Sequence, residues 1–269
     1  MTTVDRAAGI SRAGFASAMI SLGVVGLVFR DFPLIWGTFP GGIAGGATLA
    51  SVASVVALAV GIGLLIPRTA MAASLALFIY VALWWLVLKV PPVVQQPGTE
   101  VSWLECGMYG MLLTGAWTLY TVSGVRRFPG DEWGRNIARQ FFGLALIPVG
   151  ISHFVYVADA LPMVPAWLPF HVDWVYFTGA CHLAAGFGIV CTILPRLAVC
   201  LEAVMVSLFT LLVWVPAVIT APATRTNWTE LWVSWAVSAA AVVVALHTPA
   251  LRTFKRPTSR RRPTTPHAP

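Results

Sequence analysis

Eight apolar segments, each about twenty residues long, follow one another along this chain and constrain its fold more than any other feature. Crossing about 30 Å of hydrocarbon takes roughly 20 apolar residues in a helix. Charged residues make up only 10% of the 269 positions, whereas an ordinary soluble domain has about a quarter. We therefore expect an all-α, polytopic membrane protein with eight transmembrane helices. The segments cover residues 13–30, 47–66, 70–90, 103–123, 138–158, 173–194, 197–217 and 229–247.

Three short motifs occur twice, with nearly constant spacing between the two occurrences. The pairs are Gly61-Ile62-Gly63 with Gly186-Phe187-Gly188, Trp103-Leu104-Glu105 with Trp228-Thr229-Glu230, and Pro67-Arg68 with Pro195-Arg196. The first two pairs are displaced by 125 residues and the third by 128. This repetition predicts a tandem duplication of one four-helix unit.

The predicted organisation has two membrane halves and two polar segments. The first half covers 1–123, the polar stretch 124–137 is a cytoplasmic linker, and the second half covers 138–250. Residues 251–269, rich in Arg, Pro and Thr, form a disordered basic tail. Because each half has an even number of spans, both enter the membrane in the same orientation, as two parallel-repeat bundles. This arrangement disfavours an inverted-repeat transporter.

The positions of the basic residues predict the topology. Lys and Arg accumulate on the cytoplasmic side of membrane proteins. With both termini in the cytoplasm, only Arg30, Lys89 and Arg225 of the 17 Lys and Arg residues lie outside. We therefore expect a multi-pass protein of the cell membrane. The net charge is +7, and we attribute it to attraction between the protein and the anionic lipid headgroups of the bilayer. It does not indicate a nucleic-acid partner.

The repeated Trp and Glu residues have a structural interpretation. Ser102 lies three residues before Glu105, and Asn227 lies three residues before Glu230. This spacing is that of a capping box, in which side chains satisfy the free amides at the start of a helix. The pattern therefore predicts helix starts at these two positions, with both tryptophans at the outer membrane interface.

Ionisable residues inside a bilayer are costly and therefore mark candidate sites. The second half has His153, His182 and Glu202 within predicted spans. At about 1.5 Å per residue, His153 and His182 lie roughly 9 Å and 14 Å below the outer boundary, and Glu202 lies about 9 Å above the inner one. We expect the two imidazoles at neighbouring levels and the carboxylate several ångströms below them.

Four more residues complete the candidate ligand site on its outer side. Tyr156 follows His153 by three residues, on the same helix face. His171 and Asp173 are expected at the outer mouth, and Trp167 precedes them in the loop. Together these residues predict a polar path from the outer face to the middle of the membrane.

The first half provides an internal comparison. With the spacing of the repeat, His182 corresponds to Ala57, Glu202 to Ser74, and His153 to Phe29 or Val28. The polar set therefore belongs to the second half alone. The alternative is that each histidine is a neutral residue that bonds to carbonyls or hydroxyls within the bundle.

Part of the second half resembles the DoxX-like family of small membrane proteins. The resemblance rests on Gly150-Ile151-Ser152-His153-Phe154, Val164-Pro165-Ala166-Trp167-Leu168-Pro169, and the run Thr178–Gly188. It implies a four-helix membrane fold with a Pro-rich outer loop, and a connection to quinones or membrane redox enzymes. The family is usually a single four-helix unit, and many of its members have Glu where this chain has His182.

The sequence leaves three functional hypotheses open and identifies no catalytic motif. In the first, His182 and His153 bond to the carbonyls of a quinone, Tyr156 and Trp167 line the pocket, and Glu202 carries protons. In the second, the protein is a non-enzymatic scaffold or accessory subunit that recruits a soluble redox or stress protein, and a membrane-associated oxidoreductase is a further expected partner. In the third, the two histidines are axial haem ligands.

Overall fold

The computed structural model describes residues 3–33, 46–123 and 131–249. Within these ranges the chain forms eight long helices and no strand, which confirms the all-α prediction. They are α1 (Thr3–Phe29), α2 (Gly46–Leu65), α3 (Ala70–Gln95), α4 (Glu100–Ser123), α5 (Asp131–Val155), α6 (His171–Val190), α7 (Pro195–Thr220) and α8 (Arg225–His247). The predicted tail and residues 124–130 of the predicted linker lie outside the described ranges.

Six of these helices are long and apolar enough to cross a membrane, namely α1, α2, α3, α5, α7 and α8. The other two are also long, at 24 residues for α4 and 20 for α6. The lower hydropathy of α4 comes from its many Gly, Ser, Thr, Tyr and Trp residues, and that of α6 from His171, Asp173 and His182. The described ranges therefore form a helical protein with six candidate membrane spans.

Helix α5 begins at Asp131, well before the predicted start of the fifth span at residue 138. Residues 131–137 therefore belong to a helix, and the predicted linker is shorter than 124–137. The polar stretch can be helical because Glu132, in the first turn, complements the positive end of the helix dipole. Ala138 and Phe142 are both buried in the bundle and anchor the turns that follow.

The helices pack in the same order in both halves. In the first half, α1 packs on α2, α2 on α3 and α3 on α4; in the second, α5 packs on α6, α6 on α7 and α7 on α8. The last helix of each half packs on the first helix of the other, and α4 and α8 meet at the centre. The two halves are therefore related by an approximate twofold arrangement, with α4 and α8 next to its axis.

The repeat extends to irregular backbone. Helices α3 and α7 each contain one π-helical turn, at Trp85–Lys89 and Thr210–Trp214, and these turns are displaced by 125 residues. Each precedes a proline, Pro91 or Pro216. A proline inside a helix has no N–H to donate, and its ring clashes with the carbonyl four residues earlier. The wider turn accommodates this defect in both helices.

The capping-box prediction is wrong. Helix α4 begins at Glu100 and α8 at Arg225, so Ser102 and Asn227 already lie inside helices. The Asn227 amide instead donates to the Ala217 carbonyl at 2.9 Å. The Glu105 carboxylate accepts from Lys89 Nζ at 2.7 Å. Asn227 and Glu105 therefore contact the preceding helix and do not cap their own.

The repeated tryptophans have a common structural role. Trp103 Nε1 donates to the Pro97 carbonyl at 2.9 Å, and Trp228 Nε1 donates to the Pro222 carbonyl at 2.8 Å. Each indole thus ties the first turns of its helix to the loop before it. These bonds supply a local reason for the two Trp-x-Glu motifs to recur.

The Lys89–Glu105 ion pair gives a prediction about stability. Lys89 is only 5% exposed, and its ammonium lies 4.9 Å from the centroid of the Tyr109 ring. We expect Glu105→Gln to lower the free energy of unfolding by about 1–2 kcal/mol, because the buried ammonium loses its charged partner. Asp31→Asn removes the more exposed Asp31–Arg225 pair, at 3.2 Å, and is expected to cost less than about 1 kcal/mol. Denaturant unfolding in detergent compares the two variants, and equal losses would contradict the burial argument.

Candidate functional site

Three ionisable side chains of the second half meet inside the bundle. Nδ1 of His182, on α6, lies 3.0 Å and 3.1 Å from the two carboxylate oxygens of Glu202, on α7. The ring of His153, on α5, lies beside that of His182, with 5.1 Å between their centroids. We call these residues the His–His–Glu array. His182 is 3% exposed and Glu202 1%, whereas His153 is partly exposed.

The direct contact of Glu202 differs from the sequence expectation, which placed it several ångströms below His182. The difference comes from the connection between α6 and α7. Helix α6 ends at Val190 and α7 begins at Pro195, and both bounds lie before the predicted ones. His182 lies eight residues before the end of α6, and Glu202 lies seven residues after the start of α7. In an antiparallel pair these positions are at nearly the same level.

Two glycines allow α5 and α6 to approach closely enough for the histidines to meet. A β-carbon at Gly179 would lie 2.6 Å from His153 Cβ, and one at Gly150 would lie 2.7 Å from Leu183 Cγ. Each glycine precedes a histidine of the array by three residues. The same Gly-x-x-His spacing thus occurs in both helices, and small residues at helix contacts are a known signal in membrane proteins.

The hydrogen bonds of the two histidines determine which ring nitrogen remains available. His153 Nδ1 lies 2.9 Å from the Val149 carbonyl, which can only accept, so this nitrogen carries the proton. His182 Nδ1 faces the Glu202 carboxylate and donates to it when the carboxylate is ionised. In both neutral rings, Nε2 is therefore the unprotonated nitrogen that can accept a hydrogen bond or a proton.

The carboxylate is held almost entirely by one histidine. Glu202 Oε1 accepts no hydrogen bond from any residue that the structure describes, although it lies 3.0 Å from His182 Nδ1. The Phe209 ring lies 6.1 Å from the His182 ring and helps to enclose the pair. The contact between an imidazole and a carboxylate in an enclosed space is the central feature of the array.

The other four candidate residues make their contacts elsewhere. Helix α5 ends at Val155, so Tyr156 does not continue the helix face of His153 as predicted. Its hydroxyl accepts from the Val101 amide at 3.1 Å and thus joins the end of α5 to the start of α4. His171 Nε2 lies 3.3 Å from the Pro165 carbonyl. Trp167 is 70% exposed, and Asp173 is also exposed.

An aromatic pair that sequence reasoning missed lies beside the accessible member of the array. Phe154 and Tyr176 stack with 5.6 Å between ring centroids and an interplanar angle of 27°. Both are exposed, and Phe154 directly follows His153 in the chain. A β-carbon at Gly179 would lie 2.9 Å from Phe154 Cε2, so this pair sits over the same close contact of α5 and α6 as the histidines.

Glycine contacts also give the register between the two halves. A β-carbon at Gly23 would lie 2.9 Å from Leu58 Cβ, and one at Gly150 would lie 2.7 Å from Leu183 Cγ. Leu58 and Leu183 are 125 residues apart, so the two glycines occupy equivalent places although they are 127 residues apart. Helices α1 and α5 are therefore aligned by a displacement of 127 residues.

This register revises one predicted correspondence between the halves. Gly26, and not Phe29 or Val28, takes the place of the first histidine. The other two places belong to Ala57, which is fully buried, and to Ser74, as the sequence repeat indicates. Ser74 Oγ lies 2.7 Å from the Ala70 carbonyl, to which it donates, and 2.9 Å from the Ser123 hydroxyl. The first half thus has no ionisable group at the three places of the array.

The array does not fit axial haem ligation. The two imidazole rings are in mutual contact, with 5.1 Å between centroids, and this leaves no space for a porphyrin between them. Across the described ranges, no group of three or more His, Cys, Asp or Glu side chains has the arrangement needed to hold a metal ion.

Comparison of the chain with family models, curated proteins and solved structures gives no match.

Proposed function

We propose that this is a multi-pass protein of the cell membrane that binds a small hydrophobic compound with quinone-like oxygens at the His–His–Glu array. The observation that carries the proposal is the enclosed contact between His182 and Glu202, at 3.0 Å, next to the His153 ring. Ionisable residues inside a membrane bundle are costly and are a functional hypothesis by default. Nothing comparable occupies the equivalent places of the first half.

The three residues of the array differ in burial, and this difference indicates the side from which a ligand would reach them. Glu202 and His182 are buried, whereas His153 is partly exposed and lies beside the exposed Phe154–Tyr176 pair. A hydrophobic ring system would approach from this aromatic side and place its oxygen near the histidines. The aromatic pair offers a face for stacking, with a preferred ring separation of about 4.5–7 Å.

The chemistry of the imidazoles suits both redox forms of such a ligand. A neutral histidine presents an unprotonated Nε2, which accepts a hydrogen bond from a quinol hydroxyl. A protonated histidine instead donates to a quinone carbonyl. Glu202, in contact with His182 Nδ1, would carry a proton away from the ligand. We infer a binding and proton-transfer role, and we assign no catalytic turnover.

The proposed architecture is two parallel DoxX-like four-helix units with eight spans and both termini in the cytoplasm. Six helices meet the length and hydropathy of a span, and α4 and α6 are long enough to join them. The identical packing order of the halves and the unequal distribution of Lys and Arg support this arrangement. The resemblance to the DoxX-like family supports the link to quinones.

The test is the quinone that remains bound after purification in mild detergent. We expect His182→Ala to reduce the quinone extracted per mole of protein at least about ten-fold, because the ligand loses a strong hydrogen bond. Ser74→Ala, at the place of Glu202 in the first half, is the matched control and should retain the wild-type amount. Mass spectrometry of the extract identifies and quantifies the ligand. Unchanged occupancy in His182→Ala, or a wild-type protein without quinone, would refute the proposal.

A further inference from the structure

A second polar site lies at the opposite end of the bundle from the His–His–Glu array. A cavity of about 60 Å³ opens between the C-terminal part of α4, the first turns of α5 and the end of α8. On the scale on which one water needs roughly 10–15 Å³, it has room for about four waters or one phosphoryl group. Its polar lining includes Arg135, Arg139, Asn136 and His247.

The cavity has more basic groups than acidic ones. Arg135, Arg139 and His247 face a single carboxylate, that of Glu132. Among the residues that the structure describes, no ion pair within 4.0 Å joins either arginine to a carboxylate. A binding site for an anion would have this imbalance, because the missing negative charge would come from the ligand.

Two buried nitrogen atoms at the cavity have no hydrogen-bond partner among the described residues. They are Nε of Arg139 and Nε2 of His247. The other ring nitrogen of His247 lies 2.8 Å from the Val243 carbonyl, so it carries the proton of the neutral ring and Nε2 is an acceptor. Buried polar groups in folded proteins nearly always have a partner. The orphaned Nε–H of Arg139 is a donor, and it therefore indicates a ligand with an acceptor oxygen at the cavity.

We propose that this cavity binds a phosphoryl group, supplied either by the headgroup of an anionic lipid or by free phosphate. The planar guanidinium of arginine matches the oxygens of a phosphate in a two-pronged contact. The first turns of α5 add the positive end of a helix dipole, which favours an anion at the same place. Basic cavities between transmembrane helices are known to hold anionic lipid headgroups.

The experiment measures binding to the full-length purified protein in uncharged detergent. The probes are inorganic phosphate, short-chain phosphatidylglycerol and short-chain phosphatidylcholine, and native mass spectrometry counts the bound molecules. We expect Arg139→Gln to weaken binding of the phosphoryl probe about ten-fold, the loss that corresponds to one charge-assisted hydrogen bond. Arg196→Gln is the matched control, because it removes an exposed arginine that does not line the cavity, and it should bind as the wild type does.

The outcomes separate the two sources of the phosphoryl group. Binding of inorganic phosphate that depends on Arg139 assigns the cavity to a free oxyanion. Binding of phosphatidylglycerol alone, with the same dependence, assigns it to a lipid headgroup. The proposal fails if neither inorganic phosphate nor phosphatidylglycerol binds, or if Arg196→Gln weakens binding as much as Arg139→Gln. Arg135→Gln serves as the second variant if Arg139→Gln does not fold.

Discussion

Replacement of His182 by Leu is expected to lower the free energy of unfolding by about 3–5 kcal/mol. Glu202 is 1% exposed, and His182 Nδ1, at 3.0 Å from Oε1, is the polar group that contacts its carboxylate. Without the imidazole, the carboxylate either remains buried without a partner or takes up a proton. Both outcomes make the folded variant less stable than the folded native protein. Chemical unfolding in detergent, followed by circular dichroism, measures the loss.

Replacement of Glu202 is expected to lower the free energy of unfolding by less than replacement of His182. Glu202→Gln keeps a carbonyl oxygen where His182 Nδ1 can donate, so we expect a loss of only about 1 kcal/mol. The double replacement by Leu at both positions removes charge and polarity together and should recover much of the loss of the single His182→Leu variant. A Glu202→Gln variant less stable than His182→Leu would contradict the role of Glu202 as the buried acceptor for His182 Nδ1.

Gly115→Ala is expected to be the most disruptive single-methyl substitution in the central helices, with a loss of about 3 kcal/mol. A β-carbon at Gly115 would collide with Ala240 Cβ and lie 2.6 Å from Ala240 Cα, where α4 meets α8. Phe15 Cζ would lie 3.0 Å away on a third side. Because the nearest atoms belong to backbone and to a rigid methyl group, neither helix can yield by a change of rotamer.

A matched substitution separates this packing effect from the loss of glycine itself. Gly9 lies in helix α1, and a β-carbon there would meet no atom within 4 Å. Gly9→Ala is therefore expected to be neutral or slightly stabilising, since alanine favours a helix over glycine by about 1 kcal/mol. Thermal unfolding of both variants in the same detergent makes the comparison. Similar melting temperatures would rule out a tight α4–α8 contact at Gly115.

The helices could be predicted from the sequence because long apolar runs leave few alternatives. The segments that became α2, α3 and α7 lack charged residues over nearly their whole length, and hydrophobic length alone identifies them. Their ends were less predictable. Asp131 begins α5 where polarity indicated a linker, since a polar segment at a helix start is compatible with the helix dipole.

The site was predictable in its residue types but not in its geometry. The cost of ionisable groups in a membrane pointed to His153, His182 and Glu202 without any structure. Their relative depths in the membrane depend on where the turn between α6 and α7 falls. This turn lies a few residues earlier than predicted, and the shift brings Glu202 into contact with His182. The role of Tyr156 depended on the end of α5 at Val155, which the sequence pattern did not indicate.

The π-helical turns at Trp85–Lys89 and Thr210–Trp214 separate what the two halves share from what they do not. Both halves keep the same irregular backbone at the same position, whereas the three ionisable residues of the array have Gly26, Ala57 and Ser74 at the equivalent places. The helical framework therefore does not need these polar side chains in order to form, so the second half can carry them without a change of architecture.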